Sequence, residues 1–302
     1  MCGIAGLFSK STDVEERLGA HLSAMLSQLA DRGPDSAGVA LYRDPAPPGS
    51  CKVSVFSPDP GEPWSALAGE LAEEFGGEAG PEVRASHALF VVAGEPADAQ
   101  RWFAERRPDL RVMSIGERIE IYKEAVDPRE FVERFELGDV AATHALGHTR
   151  MATESAVTTE HSHPFSTGLD LCLVHNGSLS NHNRLRMELR RRGIEFQTDN
   201  DTEVAAGYLT WRLKEGDDLE QALRACLVDL DGFYTFAVGT IDGFAVLRDP
   251  IACKPAVLAE TDGWVAMASE YRAISVLPGA EDAEVWEPEP GRVYSWERAK
   301  VA

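Results

Sequence analysis

Two groups of residues in this chain could do chemistry. The first is its start, MCGIAGLF, where a cysteine stands directly behind the initiator methionine. Initiator methionines are removed when the next side chain is small, and cysteine qualifies. Cys2 would then carry a thiol and a free α-amine on one residue, a nucleophile with a base beside it. An α-amine with a pKa of about 7.7–8.0 keeps a useful neutral fraction near pH 7. The second group is spread over GHTRMATES, VHNGSLSN and QTDNDTEV. Asn176 and Gly177 supply a side-chain amide and a backbone N–H at a strand end, a donor pair suited to a developing alkoxide. Arg150 and Thr153 suit a carboxylate; Asp199 and Asp201 suit an ammonium. The plainer alternatives are a packing cysteine, an Asn-Gly turn, and a helix N-cap at Asp201 with Glu203 in its first turn.

These residues need strands and helices to bring them together. Gly3 to Phe8 reads as a buried strand whose small residues allow close backbone approach. DVEERLGAHLSAMLSQLADRG reads as one amphipathic helix, with Leu18, Leu22, Met25, Leu26 and Leu29 as its stripe and Gly33-Pro34 as its stop. Helices are expected from His182 to Arg192, Thr202 to Lys214 and Leu219 to Leu230. The C-terminal third is a series of strands with short turns, which means antiparallel pairing. Runs of strands and runs of helices, without strict alternation, indicate α+β layers.

Composition narrows the partners. The 302 residues carry 50 acidic against 29 basic side chains, a formal net charge of −21. Such a surface argues against nucleic acid and anionic membrane. The local exception, Arg184, Arg186, Arg190, Arg191 and Arg192, reads as a solvated helix face. The five cysteines (Cys2, Cys51, Cys172, Cys226, Cys253) are scattered and form no CxxC pair, so a reducing cytoplasm is expected. No apolar run has the length of a membrane span, and no signal segment precedes Cys2. Six histidines, His144, His148, His161, His163, His175 and His182, crowd the middle of the chain. Strand spacing does not cluster side chains and no HExxH occurs, so no metal site is expected.

The succession MCGIAG, RGPDSAG, GHTRMAT, HNGSLSN and DNDTEV resembles the class II glutamine amidotransferases, N-terminal-nucleophile hydrolases that release ammonia from glutamine. LRDPIACKPAVLAE resembles their RDxxGxKPL stretch, and MASE their ASE. The resemblance covers roughly residues 2–45 and 140–277. It implies a four-layer αββα sandwich of two antiparallel sheets, one catalytic domain over 2–302, and an α/β insertion at about 46–139. It also implies Cys2 as nucleophile, the Asn176 side chain and Gly177 N–H as oxyanion donors, and Arg150 and Thr153 as the α-carboxylate clamp. Asp201 would accept the α-ammonium, and Arg32 would help order the site. Met151 stands where relatives commonly carry an aromatic, and Glu154 where some carry histidine or asparagine.

With no synthase domain before Ala302, a free-standing glutaminase subunit is expected. It would take L-glutamine and pass ammonia to a synthase subunit of the glutamate-synthase-like or N-methylglutamate synthase kind. No cofactor is expected on this chain; flavin or iron–sulfur centres would belong to partners. The rival expectation is a catalytically silent glutamine-binding or scaffolding subunit. The insertion's Phe90, Trp102, Phe103, Tyr122 and Phe131 would form either a private core or a docking surface.

Overall fold

The computed structural model describes residues 2–76, 80–152 and 156–298. Residue parity along the strands decides its architecture. In β1 (Gly3–Ser9) Ala5 and Leu7 join one core cluster while Ile4 and Phe8 join another. In β2 (Ser36–Tyr42) Val39 and Leu41 share the first cluster, Ala40 and Tyr42 the second. Strands apolar on both faces must be covered on both. Their sheet runs, edge to edge, β15 (Glu284–Trp286), β13 (Val257–Glu260), β14 (Trp264–Ala268), β1, β8 (His144–Arg150), β2 and β7 (Ile119–Glu124). Facing it is a five-stranded sheet: β16 (Val293–Glu297), β12 (Gly243–Arg248), β11 (Gly232–Thr240), β10 (Leu171–Leu179) and β9 (Phe165–Gly168). All pairings in both sheets are antiparallel.

Between the sheets lies a core that includes Ile4, Tyr42, Leu146, Cys172, Val174 and Phe244. The outer face of the first sheet is covered by α2 (Leu18–Leu29), α5 (Pro128–Arg134) and α9 (Tyr271–Ile274). The outer face of the second is covered by α6 (His182–Arg191), α7 (Asp201–Lys214) and α8 (Leu219–Asp229). The result is an α+β, four-layer αββα sandwich, as the family pattern implies.

Two expectations need correction. The helix foreseen from residue 13 to 33 is two helices, α1 (Thr12–Glu16) and α2, parted at Arg17 and followed by a 3-10 turn at Ala30–Arg32. Gly19 N–H donates to the Val140 carbonyl at 2.9 Å, and a Cβ there would lie 2.0 Å from the Leu137 carbonyl oxygen. The start of α2 is pressed onto that chain, so the axis must turn before it.

The insertion is also narrower than 46–139. Its separate part is a four-stranded sheet, β4 (Glu82–Arg84), β5 (His87–Ala93), β3 (Ser50–Phe56) and β6 (Arg111–Gly116), with α3 (Trp64–Phe75) and α4 (Pro96–Arg106). It has its own core around Val53, Leu67, Phe90, Trp102 and Phe103. Residues 119–134 instead belong to the main body: β7 pairs with β2, and Tyr122 and Phe131 are buried under α2. All five aromatics named above are buried, so they offer no docking surface.

The two bodies are tied by a buried ion pair, Lys52 Nζ to Glu120 Oε1 at 2.7 Å. They are also tied by Asp170, whose carboxylate accepts the N–H groups of Glu117, Arg118 and Ile119.

Candidate functional site

The parity that builds the inter-sheet core also carries the site. Ile4, Leu146 and Val174 point inward, so Cys2 before β1, His148 and Arg150 on β8, and Asn176 on β10 fall on the same inner faces, toward one end of the sandwich. There a cavity of about 490 Å³ is lined by Cys2, Arg32, Arg150, Asn176, Gly177 and Asp201. Met151, His163, His175, Thr202 and Lys254 complete most of the wall.

Cys2 is held through its backbone. Its carbonyl accepts Arg32 Nε at 2.7 Å and Asn176 Nδ2 at 3.2 Å, and its Sγ accepts the Met151 N–H at 3.4 Å. Arg32 is held in turn by Glu270, which also binds Arg272. The second hydrogen of the Asn176 amide goes to Ser269 Oγ at 3.1 Å, and Ser269 Oγ accepts the Ile4 N–H at 2.9 Å.

Gly177 has φ of 149°, and a Cβ on it would lie 2.0 Å from the Phe233 carbonyl oxygen. No other residue fits there. Arg150 is 5% exposed and donates to the Ala156 carbonyl. The N-cap of α7 is Asn200, whose side chain accepts the Thr202 N–H, and not Asp201. Asp201 is the first helical residue; its Oδ2 accepts the Leu179 N–H at 2.9 Å. A carboxylate at that position is favoured by the helix dipole.

A glutamine amidotransferase domain model matches residues 148–276. Over its whole length the chain is 55% identical to the glutamine amidotransferase-like protein GlxB of Rhizobium meliloti, covering 100% of both. The chain belongs to the class II glutamine amidotransferases. A second relative, from Methanothermobacter thermautotrophicus, is 31% identical over 97% of this chain and 99% of its own. Among solved structures, the amidotransferase resembles the glutamine phosphoribosylpyrophosphate amidotransferase of B. subtilis. That likeness has a TM-score of 0.63 at 22% identity and covers 98% of this chain. It shows the shared fold, and the chain spans about half of that enzyme, 47% of its length.

Of the residues singled out in the amidotransferase sequence, Cys2, Arg32, Arg150, Asn176, Gly177 and Asp201 meet at one cavity. Thr153 and Glu154 lie outside the described residues. Asp199 is not part of the wall; it is exposed and pairs with His161 at 3.0 Å. Three residues were missed. Ser269 and Glu270, of MASE, position Asn176 and Arg32, and Lys254, of the ACKPA stretch, lines the cavity with its Nζ over the Phe233 ring. The matching family stretches were the available signal, but one chain gives no reason to prefer a serine or lysine in them.

Four of the six histidines are buried, in two places. His144 is stacked on Tyr42 and donates to the Thr240 carbonyl. His148, His163 and His175 form a buried group, the last two in the cavity wall, with the first two rings stacked at 4.1 Å. Burial pushes His148 down to about 3 and lowers the other two, so all three are neutral at pH 7. No helix among the described residues is long and apolar enough to cross a membrane.

Proposed function

We propose that the chain hydrolyses L-glutamine to L-glutamate and ammonia through a γ-glutamyl thioester on Cys2, exposed as the first residue once Met1 is removed. One observation carries the reading: a thiol, an amide beside a glycine N–H, a buried guanidinium and a carboxylate line a single cavity. Arg150 holds the substrate α-carboxylate and Asp201 its α-ammonium. The Cys2 amine takes the thiol proton, and the thiolate attacks the carboxamide carbon.

The oxyanion is met by the Gly177 N–H and by Asn176 Nδ2. The substrate displaces the longer of that amide's two contacts, the one to the Cys2 carbonyl. Collapse of the adduct expels ammonia, which takes the proton from the amine. Water, deprotonated by the same amine, then cleaves the thioester. Each oxyanion donor is worth about 10²–10³ in kcat.

The ammonia goes to a synthase subunit of the glutamate-synthase-like or N-methylglutamate synthase kind, in a reducing cytoplasm where the Cys2 thiol stays free. Replacing Cys2 by Ala abolishes glutamate release while the fold is kept, and intact mass of the wild type starts at Cys2. Undiminished release from that variant rejects the mechanism. Glutamine binding without turnover in the wild type points instead to a silent glutamine-binding subunit.

A further inference from the structure

The Asn176 amide can be read in only one orientation. The Cys2 carbonyl oxygen is an acceptor and nothing else, so the atom 3.2 Å from it must be the Asn176 nitrogen. Asn176 Oδ1 therefore faces His148 Nε2, at 3.2 Å. An amide oxygen has no proton to give, so His148 must donate. The imidazole is neutral and carries one proton, which this contact assigns to Nε2. His148 Nδ1 is then a bare acceptor, and it has no partner among the described residues. The ring has little freedom to do anything else. It is 1% exposed, it belongs to the interior strand β8, and it is stacked on His163 at 17°. His163 is fixed in its turn, since its Nδ1 accepts the His175 backbone N–H and its Nε2 meets Thr202 Oγ1.

We propose that His148 is a positioning residue for the reaction: its Nε2–H grips Asn176 Oδ1 and so keeps Nδ2 turned toward the Cys2 end of the cavity. Without that donor only the Cys2 carbonyl distinguishes the amide's two ends, and the substrate displaces that contact. A flipped Asn176 would present an oxygen to the oxyanion, which repels where it should stabilise. Ser269 cannot enforce the orientation alone, because a hydroxyl both donates and accepts. The inference rests on the glutaminase reading above and adds to it the group that sets the polarity of the oxyanion donor. It places no demand on Arg150 or Asp201, so it separates turnover from substrate affinity.

The test is a cycle on the full chain with glutamine as substrate. His148→Phe keeps a flat ring for stacking and removes the donor. It is expected to lower kcat about tenfold to a hundredfold, the range for an unmade buried hydrogen bond, with KM within about threefold of wild type. His148→Gln offers an amide N–H and is expected to recover most of the loss. In an Asn176→Ala background, adding His148→Phe is expected to cost nothing more, because the residue acts through Asn176. Should the Phe variant not fold, His148→Leu makes the same comparison with His148→Gln. A wild-type kcat in the donor-free variant, or a full further loss in the Asn176→Ala background, overturns the proposal. A wild-type chain with no glutaminase activity removes the reading it rests on, and that result is separate from either of these.

Discussion

Arg32 offers a way to test whether Cys2 must be held from behind. Its Nε donates to the Cys2 carbonyl at 2.7 Å, and its side chain, in the cavity wall, is 7% exposed. Ordered pairing of the first strand begins only at Gly3, so the residue bearing the thiol depends on contacts to its own carbonyl. Among the described residues there are two, from Arg32 and Asn176. Arg32→Met keeps the length and removes the donor. A hydrogen bond from a charged group contributes about 1.5–3 kcal/mol, and each 1.36 kcal/mol is tenfold in rate. If that energy holds Cys2 in its attacking position, kcat should fall about tenfold to 150-fold.

The fold should suffer less. Glu270 is left with Arg272 at 2.6 Å and is one-third exposed, so no buried charge is orphaned. Steady-state glutaminase kinetics and a thermal melt on the same preparation decide the matter. The expected result is a large loss of kcat with a melting shift of a few degrees. A folded variant with kcat within twofold of wild type would refute the argument that the carbonyl contact matters.

Three further outcomes follow from the geometry. Arg150→Lys keeps the charge but loses the planar fork, so KM for glutamine should rise about tenfold with kcat less affected; unchanged kinetics reject Arg150 as the carboxylate clamp. Lys52→Met leaves Glu120, 0% exposed, with Arg43 and the Tyr122 hydroxyl. It should cost about 3 kcal/mol, or about 6–12 °C of melting temperature, and adding Glu120→Leu should restore at least half; a melt unchanged by the single substitution refutes the buried-pair argument. Ala252 has φ of 52° where the family stretch has glycine. Ala252→Gly relieves about 1–2 kcal/mol of left-handed strain against about 0.4–1 kcal/mol of added unfolded-state entropy. A small rise in melting temperature is expected, and a fall counts against the strain.

The site was legible in the sequence because its members lie on regular strands and in short stretches of recognisable order. Cys2, Ile4 and Phe8 share a parity, as do Leu146, His148 and Arg150, and Val174 with Asn176, so two-residue alternation alone carries all of them to the space between the sheets. What alternation cannot say is which strand of one sheet faces which strand of the other. That the His148 ring meets the Asn176 amide is a fact of sheet-on-sheet packing.

The same limit explains the insertion's misplaced end. RIEIYKE alternates as well as any strand in the four-stranded sheet, and it follows that sheet in the chain. Its place beside β2 is decided by Asp170, far along the sequence, whose carboxylate gathers the three N–H groups leading into it. Asp170 itself has φ of 48° and sits in the turn that starts β10. One acidic residue in a tight turn therefore joins the strand carrying Asn176 to the point where the insertion ends and the main sandwich resumes. An insertion can enlarge there without moving the site, because the chain's return to the main sheet is pinned from the strand that bears Asn176 and Gly177.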